Sequence, residues 1–165
     1  MPQLPFLDGY HGETVQELIA FAGKYRTDSI VLAFEQAMER KAARIGEDKL
    51  SLEERVILAI EALEREVNNG GYSQFFINTG EYIPIIVDAL RRIGCPKNAE
   101  IAHTACEIAQ KAPFTSNEIE NGTWGDNEER EQAFSRCDER YFERPENIEE
   151  CLFAYIVSNH DKIKT

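Results

Sequence analysis

The sequence predicts an all-α fold, a single-domain bundle of about seven to eight helices with no significant sheet. Three observations predict it. Apolar residues recur at helical spacing through most of the chain, capping and stop residues bracket those stretches, and no alternation of apolar and polar residues is long enough for a strand.

Taken in order, Ile30, Val31, Phe34, Ala37, Met38, Ala42 and Ile45 follow the i, i+3, i+4, i+7 rule, with Lys41 snorkelling or off the face. Gly46 stops that helix. Ser51-Leu-Glu-Glu54 reads as a capping box, and Val56, Ile57, Ile60, Leu63, Glu64 and Val67 trace the stripe behind it. Asn68-Asn69-Gly70-Gly71 ends the stripe, because Asn and Gly tolerate the left-handed backbone of a helix stop. The aromatic segment Tyr72–Gly80 predicts one or two further turns, closed by Asn78 and Gly80. A helix over about 82–93 tolerates Pro84 only in its first turn. Gly94 caps that helix, and Pro96 opens the next. Pro113 to Gly125 reads as the longest loop, with Trp124 tucked onto the core. Helix resumes near Asp126 and runs to Phe142, and Pro145 begins the last one, carrying Ile148, Leu152, Tyr155 and Ile156.

The 165 residues suit one domain, and 42% hydrophobic content is enough for one core. The expected organisation is a single domain over 1–165, with N-terminal helices over 13–46 packed on the remainder. The net charge of -12 disfavours direct binding to nucleic acid and to anionic membranes, both of which need Lys and Arg. It favours cations and basic protein surfaces, while solubility alone is the plainer explanation. The N-terminus lacks a basic region followed by an apolar run, and no stretch approaches the roughly 20 apolar residues of a membrane span. A cytoplasmic protein is expected. Cys95, Cys106, Cys137 and Cys151 form no Cys-x-x-Cys pair and read as free thiols. The Asn121-Gly-Thr123 sequon reads as a turn.

Charge is unevenly placed. The segments 1–50 and 51–115 carry net -2 and -3, whereas 116–165 carries -7. Glu128, Glu129, Glu131, Asp138, Glu139, Glu143, Glu146, Glu149 and Glu150 are the candidate binding residues, several at helical i, i+3 or i+4 spacing. Partial neutralisation by Arg130, Arg136, Arg140 and Arg144 would leave an ordinary solvated face. Unneutralised, the carboxylates would imitate a row of phosphates.

The run Glu66-Val-Asn-Asn-Gly-Gly-Tyr-Ser-Gln-Phe-Phe-Ile-Asn-Thr-Gly80 resembles the signature of a bacterial all-helical domain family that includes a DNA-mimic protein. The resemblance covers roughly 50–160 and takes in Ala89-Leu90, Ile93-Gly94, Phe134, Asp138, Tyr141, Phe142 and the segment Ile148 to Asn159. It implies an all-α fold and an acidic surface that occupies the DNA-binding face of a transcription factor. The signature residues Asn68, Asn69, Gly70, Gly71, Gln74, Phe75, Phe76, Asn78 and Gly80 are not acidic. They read as fold determinants: a helix stop, two core anchors, and amides that bond the turn's backbone.

Enzyme chemistry has thin support. Glu100-Ile-Ala-His103, with Glu107 one turn on, matches half of a di-iron pattern that needs two such motifs and two more Glu. No Gly-x-Ser-x-Gly, P-loop or dinucleotide fingerprint occurs. The expectation is therefore an acidic protein-binding domain with no cofactor and no metal. Its partner is a basic protein surface such as that of a DNA-binding protein, and its oligomeric state is open, a dimer included. The alternatives are a small helical hydrolase or metal enzyme with an unrecognised carboxylate/His site, and an immunity or antitoxin-like inhibitor of a basic toxin.

Overall fold

A computed structural model describes residues 2–165, and among these the fold is all-α: eight α-helices, three single 3₁₀ turns and no strand. The helices are α1 (Val15–Ile19), α2 (Thr27–Ile45), α3 (Leu52–Asn78), α4 (Ile83–Arg92), α5 (Pro96–Lys111), α6 (Ser116–Asn121), α7 (Glu128–Phe142) and α8 (Ile148–Ser158). They distribute over two compact units. One comprises the chain up to Glu61 together with Asn147–Thr165, and the other comprises Ala62–Glu146.

In the first unit α2 packs against α1 and α8. Its buried face is Ile30, Val31, Ala33, Phe34, Ala37 and Met38, and Gly46 ends it at φ 97°. Lys41 does not simply snorkel: its ammonium lies 2.6 Å from the buried Glu54 carboxylate. Ser51 and Glu54 form the expected reciprocal cap, with Glu54 N–H donating to Ser51 Oγ at 3.1 Å and Ser51 N–H to Glu54 Oε2 at 3.0 Å. Glu54 therefore caps α3 and neutralises Lys41 with one side chain.

In the second unit α5 packs against α4 and α7. Tyr72, Phe75, Phe76 and Phe134 form an aromatic core with ring centroids 5.4 to 6.4 Å apart. Pro84 and Pro96 each sit in the first turn of a helix, where a missing N–H costs nothing.

The break expected at Asn68–Gly71 is present: the backbone of α3 leaves helical geometry at Gly70 and Gly71, and a short helical segment then runs to Asn78. Three details differ from the sequence reading. The loop over 113–125 contains α6, whose Thr115–Glu118 capping box has the same spacing as Ser51–Glu54. Trp124 is not tucked away but 38% exposed. The last helix begins at Ile148 behind the Asn147 cap, not at Pro145, because a side-chain acceptor for Glu150 N–H becomes available only there.

Candidate functional site

The nine candidate carboxylates start from α7. Asn127 caps it, its Oδ1 accepting Arg130 N–H at 2.9 Å, and Glu128, Glu129 and Glu131 in the first turn complement the helix dipole. Arg130, Phe134, Cys137 and Tyr141 are its buried stripe. At about 3.6 residues per turn, the opposite side of the same cylinder carries Glu128, Glu139 and Glu143. All three are exposed, as is Glu129, and none of the four has an ion-pair partner among the described residues.

Of the four arginines in this stretch, one neutralises a candidate carboxylate, Arg130 with Glu131. Arg130 is buried and reaches Glu118 at 2.5 Å and Glu131 at 3.0 Å, with its guanidinium 3.8 Å above the Phe114 ring. Arg140 extends to Glu100 at 3.8 Å. Arg136 and Arg144 are exposed and make no ion pair among the described residues.

Three other candidates hold the fold together. Asp138 Oδ1 accepts the Tyr72 N–H at 2.8 Å, capping the helix where it restarts after the kink. Glu131 accepts from Ser73 Oγ at 2.5 Å as well as from Arg130. Glu146 caps α5 by accepting from Lys97 N–H at 2.7 Å, Asn98 N–H at 3.0 Å and the Asn98 amide at 2.7 Å. Burial raises the Asp138 carboxyl above its ordinary range; the Tyr72 N–H opposes that rise, and the nearby Glu131 charge adds to it. Glu149 and Glu150 lie in the first turn of α8, Glu149 half-buried and Glu150 exposed.

The signature residues surround the kink. Gly71 sits at φ 74°, ψ -173°, a region open essentially to glycine, and an added Cβ would lie 2.3 Å from Asp138 Oδ2. Gln74 and Asn78 do not bond the turn's backbone. Their amides donate to Glu66 Oε2 at 2.8 and 3.0 Å, linking the helix before the kink to the helix after it. Burial opposes ionisation of Glu66, yet these amides bring its carboxyl below the usual range. Asn68 donates to the Glu64 carbonyl at 2.6 Å, and Tyr141 OH donates to the buried Glu64 carboxylate. Asn69 is exposed, Phe75 and Phe76 are buried, and Gly80 opens the 3₁₀ turn Gly80–Tyr82. Glu66 and Glu118 hold roles that the sequence alone does not assign them. The signal for Glu118 was its Thr-x-x-Glu spacing; that for Glu66 was an acid one turn before Gly70, paired across the kink with two amides.

The motif shared by Glu100 and His103 stays apart. His103 is exposed and lies 4.0 Å from Glu107, while Glu100 turns to Arg140. Among the described residues no three His, Cys, Asp or Glu side chains gather where a metal ion would need them, the four cysteines are free, and no helix is long and apolar enough to cross a membrane. A shallow cavity of about 360 Å³ beside the start of α7 is lined by Ile108, Ala112 and Ala133, with Lys111 and Glu129 among its polar groups.

The kinked helix and the carboxylates around it lie inside one family match, to the DMP19-like protein family, spanning residues 48–159. The chain belongs to that family. The match agrees with the resemblance of the Glu66–Gly80 run to a family that includes a DNA-mimic protein. No curated protein and no solved structure gives a significant match. Within this DMP19-like chain the family match covers α3 through α8 and excludes α1 and α2.

Proposed function

We propose that the chain is an acidic protein-binding domain that acts as a DNA mimic, laying carboxylates of α7 against the DNA-binding surface of a basic protein such as a transcription factor. One observation carries the reading: Glu128, Glu129, Glu139 and Glu143 face solvent without an ion pair among the described residues, although four arginines lie in the same stretch. Charges left free on a folded surface are available to a partner, and a basic groove built for phosphates supplies the opposite sign. Glu139 and Glu143 are one helical turn apart, about 6 Å along the axis, close to the rise of two nucleotides on one strand. Membership of the DMP19-like family supports the same reading.

The test is capture of proteins on the immobilised chain at low and high salt, followed by elution with duplex DNA. A basic DNA-binding protein held at low salt and released both by salt and by duplex is the expected result, since exposed charges are screened beyond about 8–10 Å. A partner that duplex DNA leaves in place would defeat the mimic reading, and the absence of any basic partner would defeat the acidic-interface reading altogether.

A further inference from the structure

On α6 and in the turn that follows it, the chain presents two large apolar side chains to solvent. Ile119 is 53% exposed and Trp124 38% exposed, and Trp124 has no ring or hydrogen-bond partner among the described residues. The residues on either side of Trp124 are tied into the fold. Thr115 and Glu118 cap α6 reciprocally, and Glu118 is buried against Arg130 at 2.5 Å. Arg130 lies over Phe114, and Phe114 stacks on Phe134 at 5.9 Å with the rings 4° from parallel. Gly122 closes α6 in the left-handed conformation, with Thr123 N–H donating to the Glu118 carbonyl at 3.0 Å. Asn127 then starts α7.

Every charged side chain between Ile119 and Glu129 is an exposed acid: Glu120, Asp126, Glu128 and Glu129. The lone base of the adjoining turn, Arg130, is buried between two carboxylates and adds no free positive charge to the surface. We propose that Trp124, with Ile119 earlier in the chain on α6, is the anchor of the protein-binding surface, and that it takes a cationic protein whose lysine and arginine side chains ring an apolar recess. The inference rests on the acidic-interface reading above and adds where the binding energy concentrates. An indole has only two side-chain torsions to fix on docking, and the exposed acids near it in the chain match the partner's bases while apolar contact supplies the affinity. A partner arginine stacking on the indole face would add a cation–π contact, which the acidic surroundings favour.

Trp124 is the chain's single tryptophan, so it reports on itself. The experiment titrates the full chain at low salt with two synthetic peptides of equal positive charge, an oligolysine and an amphipathic lysine–leucine peptide. Circular dichroism confirms that each variant is folded. The lysine–leucine peptide should shift Trp124 emission to the blue, protect it from acrylamide, and bind about tenfold more tightly than oligolysine. W124A should lose about that tenfold on the lysine–leucine peptide and nothing on oligolysine, while W124F should keep most of the affinity. Equal affinity for the two peptides with unmoved emission would overturn the anchor and leave the acidic surface standing. Failure of both peptides to bind would remove the acidic-interface reading and the anchor with it.

Discussion

Replacing Gly71 by alanine tests the account of the kink most sharply. The backbone there, at φ 74° and ψ -173°, costs a non-glycine residue about 1–3 kcal/mol. The new methyl would also lie 2.3 Å from Asp138 Oδ2 and 2.8 Å from its Cγ, so the carboxylate must leave. Its departure removes the charged hydrogen bond to Tyr72 N–H, worth roughly 1.5–3 kcal/mol in this setting. Alanine recovers about 0.4–1 kcal/mol by restricting the unfolded chain. The sum is a loss of about 3 kcal/mol. Urea unfolding followed by helical circular dichroism should show the midpoint falling by about 1.5 M at an m-value near 2 kcal/mol per M, with m unchanged. Gly70→Ala is the comparison without a left-handed backbone: its φ is -155°, and an added Cβ would lie 2.1 Å from Gln74 Oε1 and 3.0 Å from Gln74 Cβ, so that side chain must shift and its bond to Glu66 with it. A Gly71→Ala protein within about 0.5 kcal/mol of the parent would refute the argument.

Three further predictions follow from the same geometry. Arg130→Met leaves Glu118 and Glu131 without their shared cation and should cost about 3–5 kcal/mol, while R130M with E118Q in one chain should recover part of that loss in the same urea titration. Asp138→Asn keeps an acceptor for Tyr72 N–H and removes a half-buried charge. Because the folded Asp138 binds its proton more tightly than the unfolded one, its contribution to stability falls as pH rises from the ordinary Asp range through the raised folded value. D138N should therefore gain on the parent across that window, and a gap that closes with rising pH would contradict it. Neutralising Glu128, Glu139 and Glu143 together to Gln should leave stability within about 0.5 kcal/mol of the parent yet weaken binding of a basic partner and flatten its salt dependence, read by calorimetry at two ionic strengths.

Helix ends are legible in the sequence wherever a residue has a backbone or capping requirement of its own. Gly46, the Ser51–Glu54 pair, Pro84 and Pro96 each mark an end because local geometry alone decides them. The break at Gly70 and Gly71 is equally visible, but its meaning is not: the same four residues suit a helix stop or a kink. The choice is made by Asp138, which is 67 residues further on and supplies the acceptor for the restarted helix. The aromatic core of Phe75, Phe76 and Phe134 is legible from apolar spacing. The tasks of individual acids are not, since whether a carboxylate on α7 meets water or a neighbouring N–H depends on a few tens of degrees around the helix axis.

The net charge of the C-terminal part is divided between acids that the fold engages and acids that face solvent. A count of acids treats Glu131, Asp138 and Glu146 as equal to Glu128, Glu139 and Glu143, although the first three are engaged by donors inside the fold. A carboxylate bound to Tyr72 N–H or to the first turn of α5 has its field largely met by those donors, and moving it to reach a partner would open a helix end. The outward glutamates carry no such obligation, so a partner can bind them without disturbing the chain's own structure. The kink serves this separation indirectly. It draws Asp138 and Glu131 toward α3 and so fixes the rotation of α7 about its axis, which in turn fixes that Glu128, Glu139 and Glu143 point away. On this argument a residue with no charge, Gly71, governs how the charged ones are displayed, and Gly71→Ala should weaken binding of a basic partner even under conditions where the variant stays folded.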